Sequence, residues 1–120
     1  MSHDKKEANG KPTLGICVAT RGRMEHVLGL ARAARAAGKE VRVFFTGEGV
    51  HDTQDPRMSE LIGIAKQNST RTRGQVCVCE VSYDANGLKG KPVPGLVDKD
   101  FLTQAVNAEM VDECERYVLI

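Results

Sequence analysis

Apolar residues fall along the chain in two kinds of block. Residues 13–20 (TLGICVAT), 40–45 (EVRVFF), 75–81 (QVCVCEV) and 117–120 (YVLI) are short runs, continuous or alternating, bounded by polar or glycine-bearing turns. Runs of this length read as strands buried in a sheet. Elsewhere the apolar positions recur every three or four residues. Between Arg23 and Lys39, Met24, Val27, Leu28, Ala31 and Ala34 share one helical face, with Glu25, Arg32 and Arg35 on the others and Gly38 as a stop. Asp55-Pro56 opens a second helix, Asp suiting the N-cap and Pro the first position, with Met58, Leu61, Ile62 and Ala65 as its stripe until it fades near Asn68. Residues 82–87 have room for one or two helical turns before Gly87. Residues 98–115 carry Phe101, Leu102, Ala105, Val106, Met110 and Val111 in a helix-compatible pattern that Asn107 can restart as an N-cap. Residues 46–53 and 89–95 read as loops.

Strands that alternate with helices imply parallel βαβ units. The fold class expected is therefore α/β: a three-layer α/β/α arrangement around a mainly parallel sheet of about five strands, in one domain. The domain runs from 13 to 120, and residues 1–12 (MSHDKKEANGKP), almost without apolar content, are expected to form a disordered N-terminal tail. At 120 residues there is length for one domain and not for a multidomain enzyme.

Composition narrows the function classes. With 17 Lys+Arg against 16 Asp+Glu, 4% aromatic residues and no Trp, the chain lacks the basic excess and exposed rings of a general nucleic-acid binder. No apolar run approaches the roughly 18 residues that span a bilayer, and the polar opening stretch is no signal peptide, so neither a membrane association nor secretion is expected. Cysteines stand at 17, 77, 79 and 114, three of them inside apolar patterns. Without a secretory signal they are expected to be free thiols in the cytoplasm rather than two disulfides.

Parallel sheets collect ligands and reactive groups just beyond the carboxyl ends of their strands. That rule singles out residues 21–23, 47–52 and the turn after Cys79. Cys79 ends a strand and begins a short helix, where free N–H groups and the helix dipole favour a thiolate. Free cysteine is also among the most buried residue types, so a structural Cys79 remains an alternative. Glu80 counts against activation if its carboxylate lies near the sulfur, because a like charge raises a thiol's pKa. Cys77 shares the strand face of Cys79, and the C-x-C pair suits sulfur relay or joint oxidation. A structural zinc site would need two further ligands, for which Cys114 and His51 are available, and usually spaces its cysteines as C-x₂₋₄-C; no metal is expected. Cys17 and Cys114 fit core positions. Arg21 and Arg23, with the amides of their turn, can hold an anion or simply be solvated. Neither a G-x-x-x-x-G-K-[ST] loop nor a G-x-G-x-x-G fingerprint is present, so no nucleotide cofactor is expected. Glu48 and His51, on the Gly47-Glu48-Gly49 segment, and Glu80 complete the candidate pocket with Arg21 and Arg23.

These residues together resemble the DsrE/DsrF-like family of small α/β proteins, which includes sulfur-relay subunits. The likeness rests on the opening strand and polar turn at 14–23, the second strand running into Phe44-Phe45-Thr46-Gly47-Glu48-Gly49-Val50, Cys79 with Gly87 eight residues on, and the terminal Arg116-Tyr117-Val118-Leu119-Ile120, and it spans 13–120. The resemblance implies a persulfide-carrying, sulfurtransferase-like subunit in which Cys79 accepts sulfane sulfur and passes it to another thiol, with Cys77 as a second thiol. It implies no cofactor. A sulfur-donor or sulfur-acceptor protein is the implied partner, and a homo-oligomer, trimer or hexamer, the implied assembly. The alternative is a non-enzymatic binding or regulatory protein of the same fold with a structural Cys79, and a redox or metal role for C-x-C is a third reading.

Overall fold

The computed structural model describes residues 12–120; the expected tail at 1–12 lies, but for Pro12, outside the described residues. The chain order is β1 (Thr13–Val18), α1 (Met24–Ala36), β2 (Glu40–Phe45), a 3₁₀ segment (Gly47–Gln54), α2 (Met58–Lys66), β3 (Val76–Cys79), α3 (Glu80–Ala85), a 3₁₀ turn (Asp98–Asp100), β4 (Phe101–Leu102), α4 (Ala105–Glu113) and β5 (Arg116–Leu119). All five strands are parallel, in the order β4-β3-β2-β1-β5. The fold is the expected three-layer α/β arrangement in a single domain.

Alternation along each strand divides the interior in two. Ile16, Val18, Val41, Val43, Phe45, Val76 and Val78 face α1 and α2, whose Val27, Leu28, Ala31, Leu61, Ile62 and Ala65 close the larger core. Cys17, Phe44, Cys77 and Cys79 point to the opposite face and pack with Met110 and Cys114 at α4. All four cysteines thus belong to one small core on one side of the sheet, and all are free thiols.

The same face buries two charges that the alternating EVRVFF run gave every reason to place in solvent. Arg42, its side chain 4% exposed, pairs with Glu109 at 3.0 Å and Glu113 at 3.8 Å on α4. Glu40, 1% exposed, accepts hydrogen bonds from Ser69 Oγ (2.6 Å), Thr70 N (2.9 Å) and Thr70 Oγ1, and so orders the chain between α2 and β3. Burial by itself raises the Glu40 pKa, but the bonds from Ser69 and Thr70 and the nearby Arg35 charge outweigh it and hold the carboxyl below its ordinary value. A depressed carboxyl contributes stability in full above the unfolded pKa of about 4.3 and loses it as pH falls through the lower folded value. Glu40→Gln should therefore cost about 1–3 kcal/mol at pH 7 and progressively less in acid, a trend that urea unfolding at neutral and acidic pH will measure.

Residues expected as a loop at 46–53 form most of the 3₁₀ segment, Asn107 lies inside α4 rather than at an N-cap, and element boundaries differ from the sequence pattern in three further places. The strand expected at 75–81 stops at Cys79, and α3 begins at the next residue, Glu80. Phe101 and Leu102 form a strand, not helix: they pair with Val78 and Cys79 and supply partners for backbone groups at the open side of β3. Phe101 then packs edge-on to Tyr83 at a ring distance of 5.0 Å, while Leu102 joins the cysteine face. Finally, Asp55-Pro56 precedes α2 by one turn. The Asp55 carboxylate accepts from Arg57 N at 2.8 Å, and regular helix starts at Met58.

Candidate functional site

β1, β2 and β3 all end at one edge of the sheet, and the segments that follow them lock together there. Asp52 of the 3₁₀ segment accepts from the backbone N–H of Gly22 (2.8 Å) and Arg23 (2.7 Å), fixing the entry to α1. Ser82 Oγ accepts from Gly47 N at 2.9 Å, and Asn86 Nδ2 donates to Gly47 O (3.3 Å) and Ser82 O (2.8 Å). His51 Nε2 meets Asn86 Oδ1 at 3.1 Å. These bonds tie α3, whose six residues are too few to be stable alone, to the 3₁₀ segment. Gly87, at φ +78, then turns the chain away from α3 in the left-handed conformation that suits glycine.

Cys79 is the residue that this framework positions. It stands at the N-cap of α3 with extended backbone and is 2% exposed. Its sulfur has polar company. Gln104, an exposed residue just before α4, sends Nε2 to 3.5 Å from Cys79 Sγ and to 2.6 Å from Thr46 Oγ1. Thr46 Oγ1 is in turn 3.4 Å from Ser82 Oγ. Burial alone would raise the thiol's pKa, but the Ser82 hydroxyl and N–H, the Gln104 amide and the Thr46 hydroxyl favour the thiolate and bring the net value below that of an ordinary thiol.

Cys77, two residues earlier on the same face, is chemically its opposite. Burial pushes its thiol up to about 11, with the Arg42 charge only partly offsetting, so it stays protonated at neutral pH. Burial likewise raises Cys17.

The other residues singled out by the sequence sit around this centre rather than on the sulfur. Arg21 pairs with Glu48 at 2.9 Å, both largely exposed, and Arg23 Nε donates to Thr20 Oγ1 at 2.7 Å. The amides of Gly22 and Arg23 already have an anionic partner, Asp52, so the turn satisfies its N–H groups from within the chain. His51 holds Asn86. Glu80 is exposed and lines a separate cavity of about 560 Å³ with Tyr83, Asp84 and Phe101. The groups that act on the sulfur, Ser82, Thr46 and Gln104, carried no signal of their own in the sequence. Ser82 and Thr46 were nonetheless within reach of a rule: one lies on the first turn after Cys79 and the other directly after β2, where parallel sheets gather polar groups. Gln104 arrives only through the β4 pairing. Among the described residues no three His, Cys, Asp or Glu side chains come together as metal ligands, and no helix is long and apolar enough to cross a membrane.

Replacing Ser82 by Ala removes one donor to the thiolate and one acceptor for Gly47. The thiol of that variant should alkylate several-fold more slowly than wild type at pH 7, and the two rates should converge at alkaline pH, where both thiols are ionised.

Comparison with curated proteins finds no match. The model of one protein family, the DsrE/DsrF-like family, matches residues 15–118, which takes in β2, β3 and β4, most of β1 and β5, and the whole of the Cys79 site. The chain belongs to the DsrE/DsrF-like family.

Proposed function

We propose that the protein relays sulfane sulfur between protein thiols, carrying it on Cys79 as a persulfide. The observation that supports this most is the placing of Cys79 at the carboxyl end of an interior strand and the start of a helix, with the Gln104 amide 3.5 Å from its sulfur, surroundings that favour the thiolate despite burial. The family is associated with sulfur relay, which agrees with that chemistry.

In the loading step the Cys79 thiolate attacks the outer sulfur of a donor persulfide. A new S–S bond forms on Cys79, the donor's S–S bond breaks, and the donor leaves as a thiolate. In the unloading step an acceptor thiolate attacks the same outer sulfur and Cys79 departs as thiolate. Neither step needs an outside oxidant or a cofactor, and both gain from groups that stabilise the thiolate, first as nucleophile and then as leaving group. Ser82, Thr46 and Gln104 have that role. Cys77, held neutral, is the second thiol behind it.

Access is the step that depends on a partner. The Gln104 amide, bonded to both Cys79 and Thr46 from an exposed position, is the group an incoming thiol displaces. Val81, 73% exposed on the first turn of α3, offers that partner an apolar contact beside the site. A donor or acceptor protein and a homo-oligomer, trimer or hexamer, in the reducing cytoplasm belong to the same proposal.

One observation favours a second reading, a binding or regulatory subunit with a structural cysteine: the 2% exposure of Cys79. Alkylation of the native protein, followed by peptide mapping, separates the two. Relay requires Cys79 to react ahead of Cys77 in the folded state, with an apparent pKa below the ordinary thiol value of about 8.5. Reaction of Cys79 only after unfolding supports the structural reading.

A further inference from the structure

We propose that a small oxyanion, free or as the end group of a small molecule, binds in a cationic cleft on the α4 side of the sheet, held by Arg42, Arg71, Arg73 and Lys99. The inference is independent of sulfur transfer. The cleft, of about 470 Å³, is bounded by the loop before β3, the entry to β4 and the side of α4, and those four cations line it against two carboxylates, Asp100 and Glu109.

Each carboxylate already accepts a hydrogen bond, Glu109 from within the cluster itself. Glu109 Oε1 accepts from Arg42 Nη1 at 3.0 Å, and Asp100 Oδ2 accepts from Val97 N at 2.8 Å. Arg73 and Lys99 are exposed, and Arg71 lies within electrostatic reach of Glu113. Glu113 also reaches Arg42, at 3.8 Å, so four cations stand against three carboxylates, Asp100, Glu109 and Glu113, and one positive charge is left over.

Gly74 shows where the charges converge. At φ +83 it turns the loop so that the position a Cβ would take lies 3.4 Å from Arg42 Nη2 and 3.5 Å from Arg71 Nη2. Two guanidinium edges therefore border one small volume that glycine leaves empty. Arg42 is no mobile surface side chain: it is 4% exposed, and its Nε donates to Gly74 O at 3.1 Å. A fixed, nearly buried guanidinium beside a second one is an arrangement that planar, charge-assisted recognition of an oxyanion rewards. Leu102 and Val106 give the cleft an apolar wall on the side of the cysteines, with room beyond the oxyanion for a small attached group.

The test is an NMR titration of the ¹⁵N-labelled full chain with inorganic phosphate, sulfate and glycerol 3-phosphate at constant ionic strength, chloride serving as the reference salt. The expected result is a saturable shift of the Gly74 and Arg71 amides by phosphate or sulfate. The Arg73→Gln/Lys99→Gln double variant, which alters two exposed side chains and leaves Arg42 intact, should weaken binding about tenfold or more, while Lys66→Gln on α2 should not. Tighter binding of glycerol 3-phosphate than of phosphate identifies the end group of a small molecule, and equal affinity identifies the free ion. No saturable response to any probe, or unchanged affinity in the double variant, overturns the proposal.

Discussion

Gly49→Ala should destabilise the protein by about 3 kcal/mol or more, although it adds a single methyl group. A Cβ at this position would stand 2.0 Å from Val18 O, 2.6 Å from Val18 C and 3.1 Å from Ala19 N. These are backbone atoms, which cannot rotate aside as a side chain can. Val18 O also accepts the hydrogen bond of Thr46 N at 2.9 Å, so the clash falls on the joint between β1 and the end of β2. To make room, the 3₁₀ segment has to lift from the sheet, and that movement carries Thr46 away from Gln104 and Ser82 and Asp52 away from the entry to α1. Loss of stability and a rise in the Cys79 pKa should therefore appear together. Gly29 and Gly63 provide the contrast. Each is helical with nothing within 4 Å of a new Cβ, so alanine there should stabilise by about 0.5–1 kcal/mol. Chemical denaturation of the three variants measures the difference, and a Gly49→Ala midpoint equal to wild type would show that the 3₁₀ segment is not pinned to β1.

Cys79→Ser should reduce sulfur transfer from a persulfide donor to an acceptor thiol to the background rate, whereas Cys77→Ser should retain most of it. The two residues lie on one strand face, two positions apart, and spacing alone makes them equivalent. Their surroundings do not. Cys77 lies between Phe44 and the Arg42 region with burial as its dominant influence, and at neutral pH its thiolate is scarce. Cys79, one pair nearer the strand end, meets hydroxyl and amide groups that overcome its burial. Serine keeps the size of the side chain at position 79 but offers a hydroxyl that neither ionises in this range nor holds a sulfane sulfur. Transfer that survives in Cys79→Ser and disappears in Cys77→Ser would reverse the assignment.

The sequence made the α/β fold legible because its signals were strong ones, short apolar runs for β1, β2 and β3 and a clear helical stripe from Met24 to Ala34. It placed Cys79 near a strand end for the same reason, although the run itself continues to Val81. It missed β4 because Phe101 and Leu102 are apolar neighbours in a region of helical spacing, and only their pairing with Val78 and Cys79 decides their conformation. The buried charges of β2 escaped because alternation predicts the face of a residue and not what covers that face; Glu109, Glu113, Ser69 and Thr70, which compensate Arg42 and Glu40, come from distant parts of the chain. The environment of Cys79 was hidden in the same way, with Thr46 and Gln104 respectively 33 residues before it and 25 after it in the numbering. Glu80, adjacent in sequence and a natural suspect for suppressing the thiolate, is exposed and lines a cavity to which Cys79 does not contribute.

The central claim is that Cys79 holds sulfur, and the most direct test is the intact mass of the protein after incubation with a sulfane-sulfur donor under non-reducing conditions. The account predicts a gain of one sulfur atom, removed by a thiol reductant, mapped to the peptide that contains Cys79 and absent from Cys79→Ser. An unchanged mass in the wild type, or a sulfur mapped to Cys17, Cys77 or Cys114 instead, would contradict it.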